Sequence, residues 1–265
     1  MKVFISADME GTTPTIRWDE CDYEKKFYSF YAEQMTREVV AACEGAINAG
    51  ADEIFIKDAH ETAVNIDITK LPECATLIRG WSGHPYSMAF GIDSSFDAAM
   101  FIGYHSAAGK EGNPLSHTMS GKPLYIKMNG EYCSEFMLYS YAAALEGVPT
   151  VFLSGDKMLC EDGKKLHPGL HTVAVKDGVG SSAACLSTTK ALKLIKENAE
   201  KALKQDLEKA KITLPKHFSV EICFKEHTYA HKISFYPGMK KLNSNTVLFE
   251  TDDYFEVLRM VSFVL

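Results

Sequence analysis

At 265 residues, 46% apolar and 24% charged, the chain has the balance of an ordinary globular protein and is long enough for one large α/β domain or two smaller ones. A net charge of −7 argues against nucleic acid as the main partner, and no apolar run approaches the length of a membrane span. Met1 leads straight into an apolar segment without a charged and then apolar leader, so no signal peptide and a cytoplasmic location are expected. Seven cysteines, widely spaced and without a CxxC pair, fit reduced thiols better than a disulfide framework.

In chain order, Val3-Phe4-Ile5 opens a buried strand that runs into Asp8, Glu10 and Gly11. If that segment stays extended, both carboxylates leave one face, about 6.6 Å apart. A polar loop with Pro14 and the acids Asp19, Glu20 and Asp22 follows. The spacing of Phe27, Tyr31, Met35, Val39, Cys43 and Ile47 predicts one helix from about Tyr23 to before Gly50. Glu53–Lys57 is the second strand and ends in Asp58-Ala59-His60; strand–helix–strand units of this length are almost always parallel and right-handed. Ala75–Ile78 is a short strand, Ser82–Gly91 a loop, and Ala98–Ile102 a third buried strand that runs into Gly103-Tyr104-His105.

Ser106–Ser120, rich in Gly, Ser, Pro and Asn and carrying His117, reads as a mobile loop over the strand ends. Asn129-Gly130 between Leu124–Met128 and Glu131–Cys133 predicts a hairpin. Ser134 caps a helix through Glu146 with Glu135 in its first turn, where the helix dipole favours a carboxylate. Thr150–Leu153 and Thr172–Lys176 are strands, and Ser187–Lys211 is a long amphipathic helix. The tail is β-rich at Ser219–Phe224 and Thr246–Glu250 and closes with a helix capped by Asp252 or Asp253. The expected fold is α/β: a mostly parallel central sheet with flanking helices. The expected division is a metal-binding α/β subdomain over 1–160 and an α+β subdomain over 161–265 that completes the fold.

Three strand ends thus deliver Asp8, Glu10, His60 and His105 to one edge of the sheet, the edge where open α/β sheets place their ligands. With Glu135 as a possible fifth donor, the mixed N/O set suits zinc, manganese or cobalt better than calcium or magnesium, and a carboxylate such as Asp8 can bridge two metals. His117, in a loop beside such a centre, is a candidate general acid or base, or an oxyanion donor. Other patterns are weaker. His60-Glu61 starts like HExxH, but Val64 stands where the second His belongs. His167 with His171, and His227 with His231, have helical ligand spacing and are read as structural or surface residues. Neither a nucleotide-binding glycine motif nor a G-x-S-x-G elbow is present.

Taken together, Ser6-Ala7-Asp8-Met9-Glu10-Gly11, Lys57-Asp58-Ala59-His60, Gly103-Tyr104-His105, Leu115-Ser116-His117-Thr118-Met119 and Ser134-Glu135 resemble the M55 family of metallopeptidases, the D-aminopeptidases. The resemblance implies two zinc ions per subunit held by Asp8, Glu10, His60, His105 and Glu135, with His117 as the catalytic histidine. It implies removal of N-terminal, D-configured residues from short peptides, a homo-oligomer of ten subunits around an inner chamber, and a fold of two intertwined subdomains. Thr12-Thr13-Pro14-Thr15 departs from the glycine-containing loop usual at that point, which bears on substrate choice. A different dinuclear hydrolase such as a phosphoesterase, and a non-catalytic peptide-binding protein, are the competing expectations.

Overall fold

The computed structural model describes residues 1–265. Its strands are β1 (Lys2–Ala7), β2 (Glu53–Asp58), β3 (Ala75–Ile78), β4 (Ala98–Tyr104), β5 (Pro123–Met128), β6 (Glu131–Tyr132), β7 (Thr150–Asp156), β8 (His171–Val179), β9 (Ser182–Cys185), β10 (Phe218–Phe224), β11 (Lys240–Lys241) and β12 (Thr246–Thr251). Its helices are α1 (Trp18–Cys21), α2 (Tyr28–Asn48), α3 (Glu135–Leu145), α4 (Lys157–Leu166), α5 (Thr188–Lys204), α6 (His227–Ile233) and α7 (Tyr254–Val264).

The first sheet has the order β3-β2-β1-β4-β7-β8-β9 and is parallel except for the β8–β9 hairpin. The inner strands β1, β4 and β7 are buried on both sides almost throughout, as a sheet covered on both faces requires. One face packs under α2 and α5 through Val3, Ile5, Met35, Val39, Ile195 and Ala199. The other face, with Phe4 and Phe101, packs on α3; α3 packs on α7, and α7 meets the second sheet, in one core that includes Phe136, Leu138, Val220 and Leu258. That second sheet is antiparallel, in the order β11-β12-β10-β5-β6. It takes β5 and β6 from the middle of the chain and the rest from the end, while β7, β8 and β9 return to the first sheet. The two layers are therefore intertwined along the sequence.

Four local expectations change. The helix expected from Tyr23 starts at Tyr28, after turns, with the short α1 lying before it, and its six-residue stripe is buried only in the middle: Met35, Val39 and Cys43 are buried, whereas Phe27 and Ile47 are exposed. A strict four-residue repeat advances about 40° per step on a helix of 3.6 residues per turn, so the two ends of the stripe rotate away from the core. Ser187–Lys211 divides at Gln205. α5 ends at Lys204, and a 3₁₀ turn over Leu207–Ala210 is started by the Asp206 carboxylate, which accepts from Glu208 N. Ser106–Ser120 is closely packed: Ala107, Ala108, Asn113, Leu115 and Thr118 are buried, and their neighbours include the polar groups described below. Asp8 and Glu10 lie in a bend beyond β1, not in extended chain, so it is a turn and not the pleat that brings their carboxylates together.

All seven cysteines are free thiols, four of them buried. No helix is long and apolar enough to cross a membrane.

Candidate metal centre and active site

Strand register sets the site. Ala7, the last residue of β1, pairs with Asp58 of β2 on one side and Ile102 of β4 on the other. The chain leaving β1 therefore runs between the ends of β2 and β4, with His60 on one side and His105 on the other. Backbone crossing there is very close. Asp8 N donates to Ile102 O and Gly11 N to Gly103 O, both at 2.8 Å. A Cβ on Gly11 would lie 1.8 Å from Tyr104 O, and one on Gly103, whose φ is +70°, 2.3 Å from Asp8 O. Only glycine fits at either position. Glu135 arrives from the opposite side, in the first turn of α3, where the Ser134 side chain accepts from Met137 N.

Asp8 sits between two imidazoles. Its Oδ1 is 3.3 Å from His60 Nδ1 and its Oδ2 is 3.5 Å from His105 Nε2. Glu10 Oε2 is 2.9 Å from His60 Nδ1, and Glu135 Oε2 is 3.2 Å from His105 Nε2. The cluster divides into two halves, His60 with Glu10 and His105 with Glu135, and each half takes one oxygen of Asp8. All five side chains are buried.

The far nitrogen of each ring is already engaged. His60 Nε2 lies 2.6 Å from Cys21 O, and His105 Nδ1 lies 3.0 Å from Ser106 O. A carbonyl only accepts, so each ring keeps a proton there, and in its neutral form the ring turns a lone pair toward the carboxylates. Asp8 Oδ2, Glu10 Oε2 and His105 Nε2 are buried without any hydrogen-bond partner. Lone pairs of nitrogen and oxygen converging in a water-poor space call for a cation between them, and an outer N–H held by a backbone carbonyl is the usual setting of a metal-binding imidazole. Five such donors, two nitrogens and three carboxylates, fit a pair of ions of the zinc class.

The electrostatics agree. Burial, then the charge of Glu10, pushes the Asp8 carboxyl up to about 8. Burial also disfavours a charged His105 ring, yet Glu135 and then Asp8 raise it to about 10. For His60, burial is likewise outweighed by Glu10 and Asp8, and the ring is raised well above its usual range. Protons on the imidazoles stand where a cation would.

His117 lines the same site. Its ring stacks on that of His105, with centroids 4.2 Å apart and planes inclined by 13°. Its Nδ1 lies 2.8 Å from Leu115 O and its Nε2 is 3.6 Å from Glu135 Oε1. Burial, and then the His105 charge, lowers its pKa below the usual value. Trp18 touches the His117 ring edge-on at 5.2 Å. A cavity of about 290 Å³ opens beside these groups, walled by Ala59, Trp81, Met88 and Met119 and by the polar Glu61 and Ser87. Three of the five non-glycine residues with positive φ, Glu61, Ser87 and Met119, line this cavity, which places backbone strain around it. Two larger hollows, of about 350 and 440 Å³, bring no such group of imidazoles and carboxylates together.

Sequence reading missed the buried polar layer behind the centre. Lys176 of β8, 2% exposed, donates from Nζ to the backbone oxygens of Glu10 and Thr15. Asn113 Nδ2 reaches Glu10 O at 3.1 Å. The Asp156 carboxylate accepts from Ser106 N at 2.7 Å and from the Ser106 hydroxyl at 2.5 Å, and Ser106 O is the atom that holds His105. Asp58 fixes the loop after His60 by accepting from Asn65 and Ile66. The signal was present: Asp156 is the acid that closes a fourth parallel strand, and Lys176 is a charge inside an apolar one. His167 and His171 lie away from the centre, on α4's end and β8, and His227 and His231 are exposed on α6.

An open, mostly parallel sheet with carboxylates and imidazoles gathered at the carboxyl ends of its strands has the architecture of a metal-dependent hydrolase. The sequence profile of peptidase family M55, described as D-aminopeptidase, matches residues 1–263. A D-aminopeptidase of Bacillus subtilis (strain 168) is 32% identical over 259 residues, covering 97% of this chain and 93% of that protein. The solved structure of the Zn-dependent D-aminopeptidase DppA from Bacillus subtilis, described as a self-compartmentalizing protease, superposes with a TM-score of 0.90 at 30% identity, over 98% of this chain and 95% of that one. The chain belongs to the M55 family of D-aminopeptidases and is a peptidase.

Proposed function

We propose that the protein is a dinuclear zinc aminopeptidase that removes N-terminal D-amino acids from short peptides. Asp8, Glu10 and His60 would hold one ion and Asp8, His105 and Glu135 the other, with Asp8 bridging; manganese or cobalt suits the same donors. The observation that carries this reading is the pair of Asp8 oxygens, each facing a different imidazole whose outer N–H is tied to a carbonyl. The Zn-dependence of the structurally similar Bacillus subtilis enzyme supports the choice of metal. Bound there, zinc supplies Lewis acidity toward the scissile carbonyl and makes water acidic enough to attack at neutral pH.

The chain's own groups do the rest. With its Nδ1 proton on Leu115 O and its pKa lowered, His117 presents an unprotonated Nε2 to the site. It would take a proton from the attacking water first and then pass it to the leaving amine; it cannot donate to an oxyanion until it has been protonated. Ala59, Trp81, Met88 and Met119 form an apolar wall for the substrate side chain. Glu61 is the cavity carboxylate left over once the five donors are assigned, and it would bind the free α-ammonium group. Trp18, which touches His117, is followed by Tyr23, Phe27 and Phe30, all four exposed within thirteen residues. A patch of that kind favours self-association. The oligomer would be a ring of ten subunits working in the cytoplasm; an enclosed assembly is supported by the description of the structurally similar relative as a self-compartmentalizing protease. The phosphoesterase and peptide-binding alternatives lose ground to the family match.

The test is His117→Ala. It should leave two metals per chain and lower kcat on a D-aminoacyl dipeptide by at least ~100-fold. Turnover near the wild-type rate in that variant would remove His117 from the mechanism.

A further inference from the structure

Cys21 has no part in the chemistry above, yet it reaches the Glu10–His60 half of the centre. It is the last residue of α1 and is 3% exposed. Its Sγ, an oxygen of Glu10 and a ring nitrogen of His60 all lie within 4.8 Å of one another. Glu10 Oε2 is buried there with no hydrogen-bond partner. The only polar contacts of the thiol are weak ones within its own helix turn, 3.4 Å to Trp18 O and 3.7 Å to Arg17 O. The Cys21 carbonyl meanwhile holds His60 Nε2 at 2.6 Å. One residue therefore sets the orientation of an imidazole through its backbone and lays a sulfur beside it.

We propose that Cys21 is a sulfur ligand of the ion on the Glu10–His60 side, giving it the donor set Asp8, Glu10, His60 and Cys21. The inference rests on the dinuclear reading above and makes the two positions unequal. The Glu10–His60 position gains a soft donor, which selects zinc over manganese. Four protein donors also close it, in the manner of a structural zinc. The open position then belongs to the His105–Glu135 side, where His117 is stacked on His105. When the sulfur–metal bond forms, the thiol proton goes to solvent, one per chain.

The protein loaded with cobalt in place of zinc tests this directly. A thiolate-to-cobalt charge-transfer band in the near ultraviolet is expected, equivalent to one sulfur per chain and absent in Cys21→Ser. X-ray absorption of the unaltered zinc protein should show a sulfur neighbour at about 2.3 Å, a measurement that needs no variant to fold. Competition with a chelator should find one of the two zinc ions held roughly 10-fold or more less tightly in Cys21→Ser. Two zinc ions per chain without a sulfur shell, and cobalt spectra identical with and without the thiol, would overturn the assignment of Cys21 while leaving the dinuclear reading in place. A wild-type protein that binds no zinc would overturn both.

Discussion

His117 and Glu61 line the cavity outside the five-residue cluster, and on the reading proposed above they handle the substrate. His117 is half-enclosed by His105 and Trp18, and its Nδ1 is spent on Leu115 O. It was legible in the sequence as a histidine without a strand to end, but its neutral state follows from burial, which the sequence does not give. Glu61 carried no sequence signal at all, since it read only as the start of a failed HExxH. Its place in the cavity comes from a strained turn, φ +41°, after His60. Replacing it by Gln keeps size and hydrogen bonding but removes the charge. If Glu61 binds the substrate ammonium, Glu61→Gln raises KM about 10-fold for peptides with a free N-terminus and changes kcat little. An unchanged KM would assign the ammonium to another group.

At the level of elements, strands and the turns after them position the centre. Lys176 reaches from β8 to the backbone of Glu10 and Thr15, so one buried ammonium holds the whole turn that carries Asp8 and Glu10. Lys176→Met removes that tie and leaves the buried acids Glu38 and Asp156 without their neighbouring cation. Zinc affinity is expected to fall ~10–100-fold, and stability by roughly 3–5 kcal/mol. A variant with wild-type zinc affinity would show that Asn113 alone suffices to hold Glu10. At the end of β2, Lys57 is fully buried, donates to the backbone oxygens of Asp58 and Gly80, and lies 4.2 Å from the Trp81 ring. Burial lowers its amine to about 8, with Asp58 opposing. Between pH 8 and 10.5 the folded chain has lost this proton and the unfolded chain still binds it, so folding gains stability as pH rises and loses it as pH falls back through 8. The span amounts to about 3 kcal/mol. Denaturant unfolding of the wild type relative to Lys57→Met should show this rise over that window, and parallel curves would place the ammonium in a better-solvated setting.

The molecule as a whole is two sheets that share α3 and α7 between them, built from segments that alternate along the chain. The centre draws on both arms of this arrangement, since Glu135 follows the β5–β6 hairpin of the second sheet while Asp8, His60 and His105 end strands of the first. Trp18 touches His117 at the centre, and Tyr23, Phe27 and Phe30 are exposed further along the same segment. Light scattering is expected to give a mass of ten chains, with Phe27→Asp and Phe30→Asp together shifting it to smaller species. A monodisperse monomer of the wild type would remove the inner-chamber arrangement.

The sequence by itself determined the parallel half of the fold and which acids and imidazoles follow its strands. Apolar runs that end in Asp or His are visible one strand at a time, and parallel crossovers put their carboxyl ends on one edge. What only the tertiary structure decided is how those ends meet. The pairing of Ala7 with Asp58 and Ile102 is a matter of register between segments some 50 and 95 residues away. The division of the cluster into two halves, the carbonyl behind each ring, the ammonium of Lys176 behind Glu10 and the thiol of Cys21 beside it all depend on contacts between distant segments. Local pattern records which face of an element is buried; it carries no record of what that face is buried against.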